Sequence, residues 1–310
     1  MKPTPATGQP TLLAQPLAIV LLLTVGTLFA ANHVSARMAF DEGVGVLLAL
    51  LVRSSVALTF MTGLALWHGE GLAVAPGRRR WQLLLGLMIA GQSLCLYSAV
   101  ARVPVAMALL LVNTWPIFFA LLTWALGGGR PSAQVVAIMA VIMAGLVLVL
   151  DLPARLGTAE GTGTGWLAGV AFALSAAVFF SVAIWTTENR LAGMPGAVRS
   201  AWTMATVLAA MAIGGSLGLV PDGLSVPTSE RGWLGLALLA ALYGLASTVL
   251  FVLVSRLNMA RNAPVMNFEP VASLLLGYLV LGQVLKPVQL AGGALVLGAI
   301  LWLGLSRRLK

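Results

Sequence analysis

The chain has 310 residues, 60% of them apolar, and its 18 Lys+Arg and 9 Asp+Glu make only 9% of it charged. Soluble domains carry about 25% charged residues, so at a mean hydropathy of +1.00 there is too little charge here to cover a water-facing surface. The same composition excludes intrinsic disorder, the lone Cys95 excludes a disulfide scaffold, and the net charge of +9 is scattered rather than gathered into the basic face that nucleic acid requires.

A helix crosses the hydrocarbon core of a bilayer with about 20 apolar residues. Ten runs of that length follow one another along the chain: 17–36, 45–67, 81–101, 104–126, 132–151, 165–187, 197–219, 232–255, 262–281 and 288–305. Stretches such as "VVAIMAVIMAGLVLVL" (135–150) lack the alternating polarity of barrel strands, which makes the chain an all-α polytopic membrane protein. The first run ends in "VSA", the look of a signal cleavage site, but only Lys2 precedes it and its length is that of a full span, so it reads as a transmembrane helix.

With ten spans both termini share a side. That side carries Lys2, Arg78, Arg79, Arg80, Arg130, Arg190, Arg256, Arg261, Arg307, Arg308 and Lys310, against Arg37, Arg102, Arg155, Arg231 and Lys286 on the other. Cytoplasmic loops hold the excess of Lys and Arg, which predicts cytoplasmic termini. Most tryptophans lie near span ends, as an interfacial belt requires; Trp115 alone sits deep.

The segment "YSAVARVPVAMALLLVNTWP" (97–116) aligns without a gap on "FVLVSRLNMARNAPVMNFEP" (251–270) at an offset of 154, pairing Arg102 with Arg256, Asn113 with Asn267 and Pro116 with Pro270. Upstream, Arg37 meets Arg190 at 153 and Arg53-Ser54 meets Arg199-Ser200 at 146. The chain therefore reads as a duplication: a cytoplasmic tail (1–16), a five-helix repeat (17–151), an external Gly- and Thr-rich linker (152–164), a second five-helix repeat (165–305) and a short cytoplasmic tail (306–310). Five is odd, so the second repeat is threaded upside down. Inverted repeats place a site near the midplane and provide two equivalent ways to open it.

Charges inside the bilayer need a reason. Arg53 and Glu269 are such charges, whereas Arg199 lies a few residues into its span and is expected to snorkel to the surface. Pairing that only holds helices together is the other reading of Arg53. Glu269 is the one acidic residue inside a span, within expected reach of an arginine on the seventh span. One carboxylate amid arginines is poor provision for a proton path, which points to transport driven by the substrate's own gradient or the membrane potential.

Pro116 and Pro270 interrupt the fourth and ninth spans and each frees the carbonyl four residues earlier, beside Asn113 and Asn267. Such kinks make polar backbone available at depth, where it is tolerated if it lines a cavity, so these prolines are read as gating or kink positions. Gln92, Tyr97, Trp115, Tyr243 and Ser247 are further polar or aromatic groups at depth. Asn32 and His33 are read as interfacial, and the Gly165/Gly169 and Gly214/Gly218 pairs as packing positions. No phosphate-binding loop, HExxH or CxxC occurs, so no cofactor and no metal ligand set is expected.

The two tandem halves, "FAANHVSAR" (29–37), an Arg in the second and seventh spans, and the Pro-centred "VNTWPIFFALLTW" (112–124) and "MNFEPVASLLLGYLVLG" (266–282) together resemble the EamA-type, ten-helix branch of the drug/metabolite transporter superfamily over residues 17–305. The resemblance implies a secondary transporter of the bacterial inner membrane that exports small metabolites such as amino acids, and "VNTWP" is similar to the aromatic amino acid exporters. Its partners would be a small-molecule substrate and membrane lipids, with no nucleic acid, and a monomer suffices. The residues themselves are compatible with that chemistry. Trp115, Tyr97 and Tyr243 could stack on a planar side chain, and Asn113, Asn267, Glu269, Gln92 and Ser247 could bind polar ends. The "GE" that often ends spans 4 and 9 in that branch is Gly129-Arg130 and Gly282-Gln283 here. An intramembrane enzyme would need a base that is missing; a channel, or cationic or aromatic drugs as substrates, are the remaining alternatives.

Overall fold

A computed structural model describes residues 13–128, 130, 133–149, 163–220, 223–253, 265 and 268–306. Among these there is no strand. The helices are α1 (Gln15–Asp41), α2 (Val46–Trp67), α3 (Pro76–Val100), α4 (Val105–Val112), α5 (Trp115–Ala125), α6 (Ala133–Val149), α7 (Thr164–Arg190), α8 (Gly196–Ser216), α9 (Glu230–Leu253), α10 (Glu269–Leu281) and α11 (Pro287–Ser306). α4 and α5 together form the fourth of ten spans. Seven spans are long and apolar enough to cross a membrane, and three shorter apolar helices, Val136–Val149, Glu269–Leu281 and Pro287–Ala299, supply the rest.

Proline starts many of these helices: α1, α3, α5 and α10 each carry one in the first two positions, where the missing N–H has no helical partner to lose. Apolar runs without Pro then propagate until a turn residue appears. This moves three expected ends. α1 runs to Asp41 rather than 36, because nothing breaks it before Gly43, whose φ of 85° reverses the chain. α3 begins at Pro76 and so carries Arg78, Arg79 and Arg80 in its first turns, and α7 extends to Arg190.

The two halves pack as an exchange of equals. α1 lies on α9 while α7 lies on α3; α2 meets α9 while α8 meets α3; α1 meets α10 while α7 meets α4 and α5. The pairs α2–α8, α4–α10 and α6–α11 are each their own counterpart. Every major contact between helices of opposite halves thus has its mate, as an inverted two-fold repeat demands. Helix lengths agree as well: α1 and α7 have 27 residues each, starting at 15 and 164, an offset of 149. Counted from the helix starts, Arg53 is the eighth residue of α2 and Arg199 only the fourth of α8, so these two arginines are not equivalent in depth.

One core cluster joins the halves, with Leu50, Tyr97, Leu111, Ala176, Leu239 and Val296 among its members. Close approach is achieved at glycines other than those expected. A Cβ on Gly292 would meet the Gly145 carbonyl oxygen at 2.6 Å, and one on Gly235 the Ala39 nitrogen at 2.9 Å, whereas Gly165 and Gly218 have nothing within 4 Å and Gly214 meets only Val220. Gly169 does pack tightly, on Val103 and Arg102. Gln283, standing where the acid of "GE" was expected, accepts the Val105 N–H through Oε1 at 3.2 Å. It caps the start of α4 from the end of α10 and fixes the antiparallel pairing of the two.

Candidate functional site

On α1, Phe29, Asn32 and His33 are spaced i, i+3, i+4 and therefore share a face. Ser93 and Tyr97 on α3, and Leu239 and Tyr243 on α9, are i, i+4 pairs. These faces converge on Arg53 of α2. Its Nη2 donates to Ser93 Oγ at 2.7 Å and its Nη1 to the Tyr97 hydroxyl at 3.4 Å. The tyrosine in turn donates to Asn32 Oδ1 at 3.0 Å, and Asn32 Nδ2 donates to the Leu239 carbonyl. The guanidinium carbon stands 4.8 Å from the Tyr97 ring centre and 4.2 Å from that of Tyr243, and Phe29 backs Tyr243 edge-on at 5.9 Å.

Arg53 is 3% exposed. A charge at the middle of a transmembrane helix costs about 2.5–3.5 kcal/mol on insertion scales, and the usual remedy is a carboxylate. Here, among the described residues, no carboxylate pairs with it, and its interhelical bonds go to neutral groups. Two hydroxyls and two aromatic faces take that place, the latter worth about 0.5–2 kcal/mol each.

Glu269 opens α10, and its Oε1 lies 3.3 Å from His33 Nε2. The expected arginine partner on the seventh span is therefore replaced by a histidine of the first. His33 also meets Tyr97 edge-to-face at 5.8 Å, so Glu269, His33, Tyr97, Arg53 and Tyr243 form one continuous chain of contacts. His33 Nδ1 is buried without a partner. An unpaired N–H is costlier than an unpaired lone pair beside a carboxylate, which places the ring proton on Nε2, facing Glu269.

Trp115 begins α5 as Glu269 begins α10, 154 residues apart. Each helix start is held by the equivalent neighbour. Ser181 Oγ of α7 donates to the Trp115 carbonyl at 2.9 Å, while His33 of α1 holds Glu269. Trp115 packs edge-on against Phe180 at 5.4 Å and Phe119 at 6.1 Å. The repeat thus presents an aromatic cluster in one half and a titratable pair in the other.

The kink expected at Pro116 is a full break, with Asn113 and Thr114 outside both α4 and α5. Asn113 Nδ2 turns back to the Leu109 carbonyl at 2.9 Å and Thr114 Oγ1 to that of Leu111 at 2.7 Å, so both side chains serve α4's own end. Pro270 lies in the first turn of α10 and its carbonyl accepts from Ser273 Oγ; Asn267 lies outside the described residues. Gln92 is partly exposed and accepts from Ser93 Oγ at 3.4 Å, and Ser247 is buried one turn beyond Tyr243. Arg199 stands apart: it is partly exposed in the first turn of α8, and Gln82 Nε2 bonds its carbonyl and Thr203 Oγ1.

Sequence reasoning left out Phe29, Asn32, His33 and Ser93 as partners. Asn32 and His33 are 0% and 6% exposed, buried rather than interfacial, because α1 continues two turns past them. The signal was present: Arg37 and Asp41 stand i, i+4 and bond at 2.8 Å, and such a pair marks continuing helix, not its end.

The model of the EamA-like transporter family matches residues 16–151 and 167–305. The chain belongs to the EamA-like transporter family. It is a membrane protein of a transporter family, built as two five-helix repeats. No curated protein matches. Among solved structures, a crystal structure described only as that of a protein has a TM-score of 0.62 and 23% identity, covering 96% of this chain and 100% of the other; that likeness shows the fold alone.

Proposed function

We propose that this EamA-family protein is a secondary transporter that exports a small metabolite, most simply an amino acid with an apolar or aromatic side chain, across the bacterial inner membrane with both termini in the cytoplasm. The observation that carries the reading is the interruption of the fourth span between α4 and α5, at Asn113-Thr114, where α4 packs antiparallel on α10 of the other half. An interrupted helix makes polar groups available at mid-depth. Rocking one repeat against the other exposes them to each side in turn. Trp115, Phe180, Tyr97 and Tyr243 offer aromatic surface, and Glu269, His33 and Gln92 offer polar contacts.

The test is counterflow of labelled amino acids in proteoliposomes of the purified full chain. Saturable exchange with trans-stimulation is expected, with the substrate recovered chemically unchanged. Flux that rises linearly with concentration, without trans-stimulation, indicates a channel, and altered product indicates an enzyme; either result overturns the proposal.

A further inference from the structure

Arg53 carries a permanent charge in the part of the bundle where a charge is hardest to keep. Among the described residues its hydrogen-bond partners are neutral: Ser93, Tyr97 and, through them, Gln92 and Asn32. Its Nε is buried and has no hydrogen-bond partner. The guanidinium thus has two N–H groups fixed and two aromatic rings against it, and yet its Nε and its net charge stay unanswered. A group needed only to tie helices would be answered by a carboxylate or replaced by an apolar residue, since a buried pair is no more stable than a well-packed apolar substitute.

The surroundings also provide an approach. Tyr97 is fully buried, but Tyr243, whose ring stands 4.2 Å from the guanidinium carbon, and Gln92 beside Ser93 are only partly buried, and the Glu269 side chain keeps 22% of its surface exposed. The cluster around Arg53 is therefore bordered by groups that solvent reaches. An anion entering there displaces the edge of the Tyr243 ring, meets Nε and completes the planar fork with Nη2.

We infer that Arg53 is the docking point for an anionic group of the transported molecule, a carboxylate, so that the substrates are organic acids or zwitterions and not the cationic drugs that the sequence left open. This rests on the transport reading for its purpose but not for its test. In return for the bound anion, the cation recovers the counter-charge that the fold withholds.

The experiment titrates the purified full chain in detergent with L-phenylalanine, L-leucine and benzoate, each beside its carboxamide, following the intrinsic fluorescence of the 9 tryptophans. Losing one partner of a desolvated, hydrogen-bonded charge pair weakens binding by about 30-fold or more. At least one acid is therefore expected to bind wild type about 30-fold more tightly than its amide. In Arg53→Gln that ratio should collapse toward one through loss of acid binding alone. Arg53→Lys, which keeps the charge but not the fork or the stacking, should fall between and serves if the Gln variant does not fold.

Amides binding as well as acids, an acid preference that persists in Arg53→Gln, or no acid binding at all would each overturn the assignment. Chloride alone is titrated in parallel. If it saturates wild type and the acids do not displace it, the site belongs to an inorganic anion and the carboxylate assignment falls. Acid-selective binding without counterflow would sink the transport reading and leave the anion site standing, and saturable counterflow of amides in Arg53→Gln would do the reverse.

Discussion

His33 Nε2 and Glu269 Oε1 stand 3.3 Å apart and tie the first helix of one repeat to the start of α10 in the other. A histidine partner changes what the carboxylate can do. With a histidine in place of the expected arginine, a part for Glu269 in proton coupling is open to test by its variants. Glu269→Gln can still accept from Nε2, so folded protein and thermal unfolding should change by less than about 1 kcal/mol. Glu269→Ala, which leaves Nε2 without a partner as Nδ1 already is, should lose about 1–3 kcal/mol. Downhill exchange should survive in Glu269→Gln while uphill export driven by a pH gradient disappears. Uphill transport left intact in proteoliposomes would remove the pair from the energetics.

The break at Asn113-Thr114 leads to a second prediction. Pro116→Ala restores an N–H to the chain and lets α4 and α5 join, with the Val112 carbonyl as acceptor. Folded yield should hold, and unfolding temperature should stay or rise, since an interior proline costs a helix about 3 kcal/mol. Counterflow should fall, because the polar turn at mid-depth is gone. Wild-type counterflow in a folded Pro116→Ala protein would make the break a packing feature only.

How much of this was legible in the sequence follows from what a bilayer writes into it. Its thickness is imposed on each span, so ten runs of the right length could be counted, and the repeat was visible in Asn113/Asn267 and Pro116/Pro270 because polar and helix-breaking residues stand out in an apolar sequence. Helix rotation is different. Lipid tails are as apolar as the core, so nothing in α1 says that Asn32 and His33 face inward and Val20 outward. The partner of Glu269 lies 236 residues away on a helix of the other half, and no local spacing encodes it. Arg53 was visible as a charge, but its two hydroxyls and two rings come from α3 and α9 and exist only after packing.

Topology gives a third prediction. Arg79 is exposed in the first turns of α3, and Thr164 is exposed at the start of α7 on the opposite face. In a Cys95→Ala background, a cysteine at 164 should react with an impermeant thiol reagent in intact cells and one at 79 only after lysis. The reverse pattern would turn the whole map over and make the proposed export an import geometry.

The last prediction concerns closure of the face opposite the termini. Arg37 Nη1 reaches the Val100 carbonyl at 3.0 Å and that of Val103 at 3.5 Å, while its Nε holds Asp41 at 2.8 Å. The Val100 carbonyl is at the end of α3, where no further turn can satisfy it, and that of Val103 is in the turn that follows, so the guanidinium both caps α3 and straps α1 to the α3–α4 turn. Val100, Val103 and Val105 beneath it are fully buried, sealing that face. The proposed alternating access requires that face to open, and Cys95, buried just over one turn below Val100, is a native reporter of it. A hydrogen bond to a charged group is worth about 1.5–3 kcal/mol, so Arg37→Ala should raise labelling of Cys95 from that face about tenfold or more. Asp41→Asn breaks only a half-exposed pair of about 0.2–1 kcal/mol and should change labelling less than about fivefold. Equal labelling in wild type and Arg37→Ala, with both folded, would show that the strap does not set the closed state and that the valine seal alone holds it.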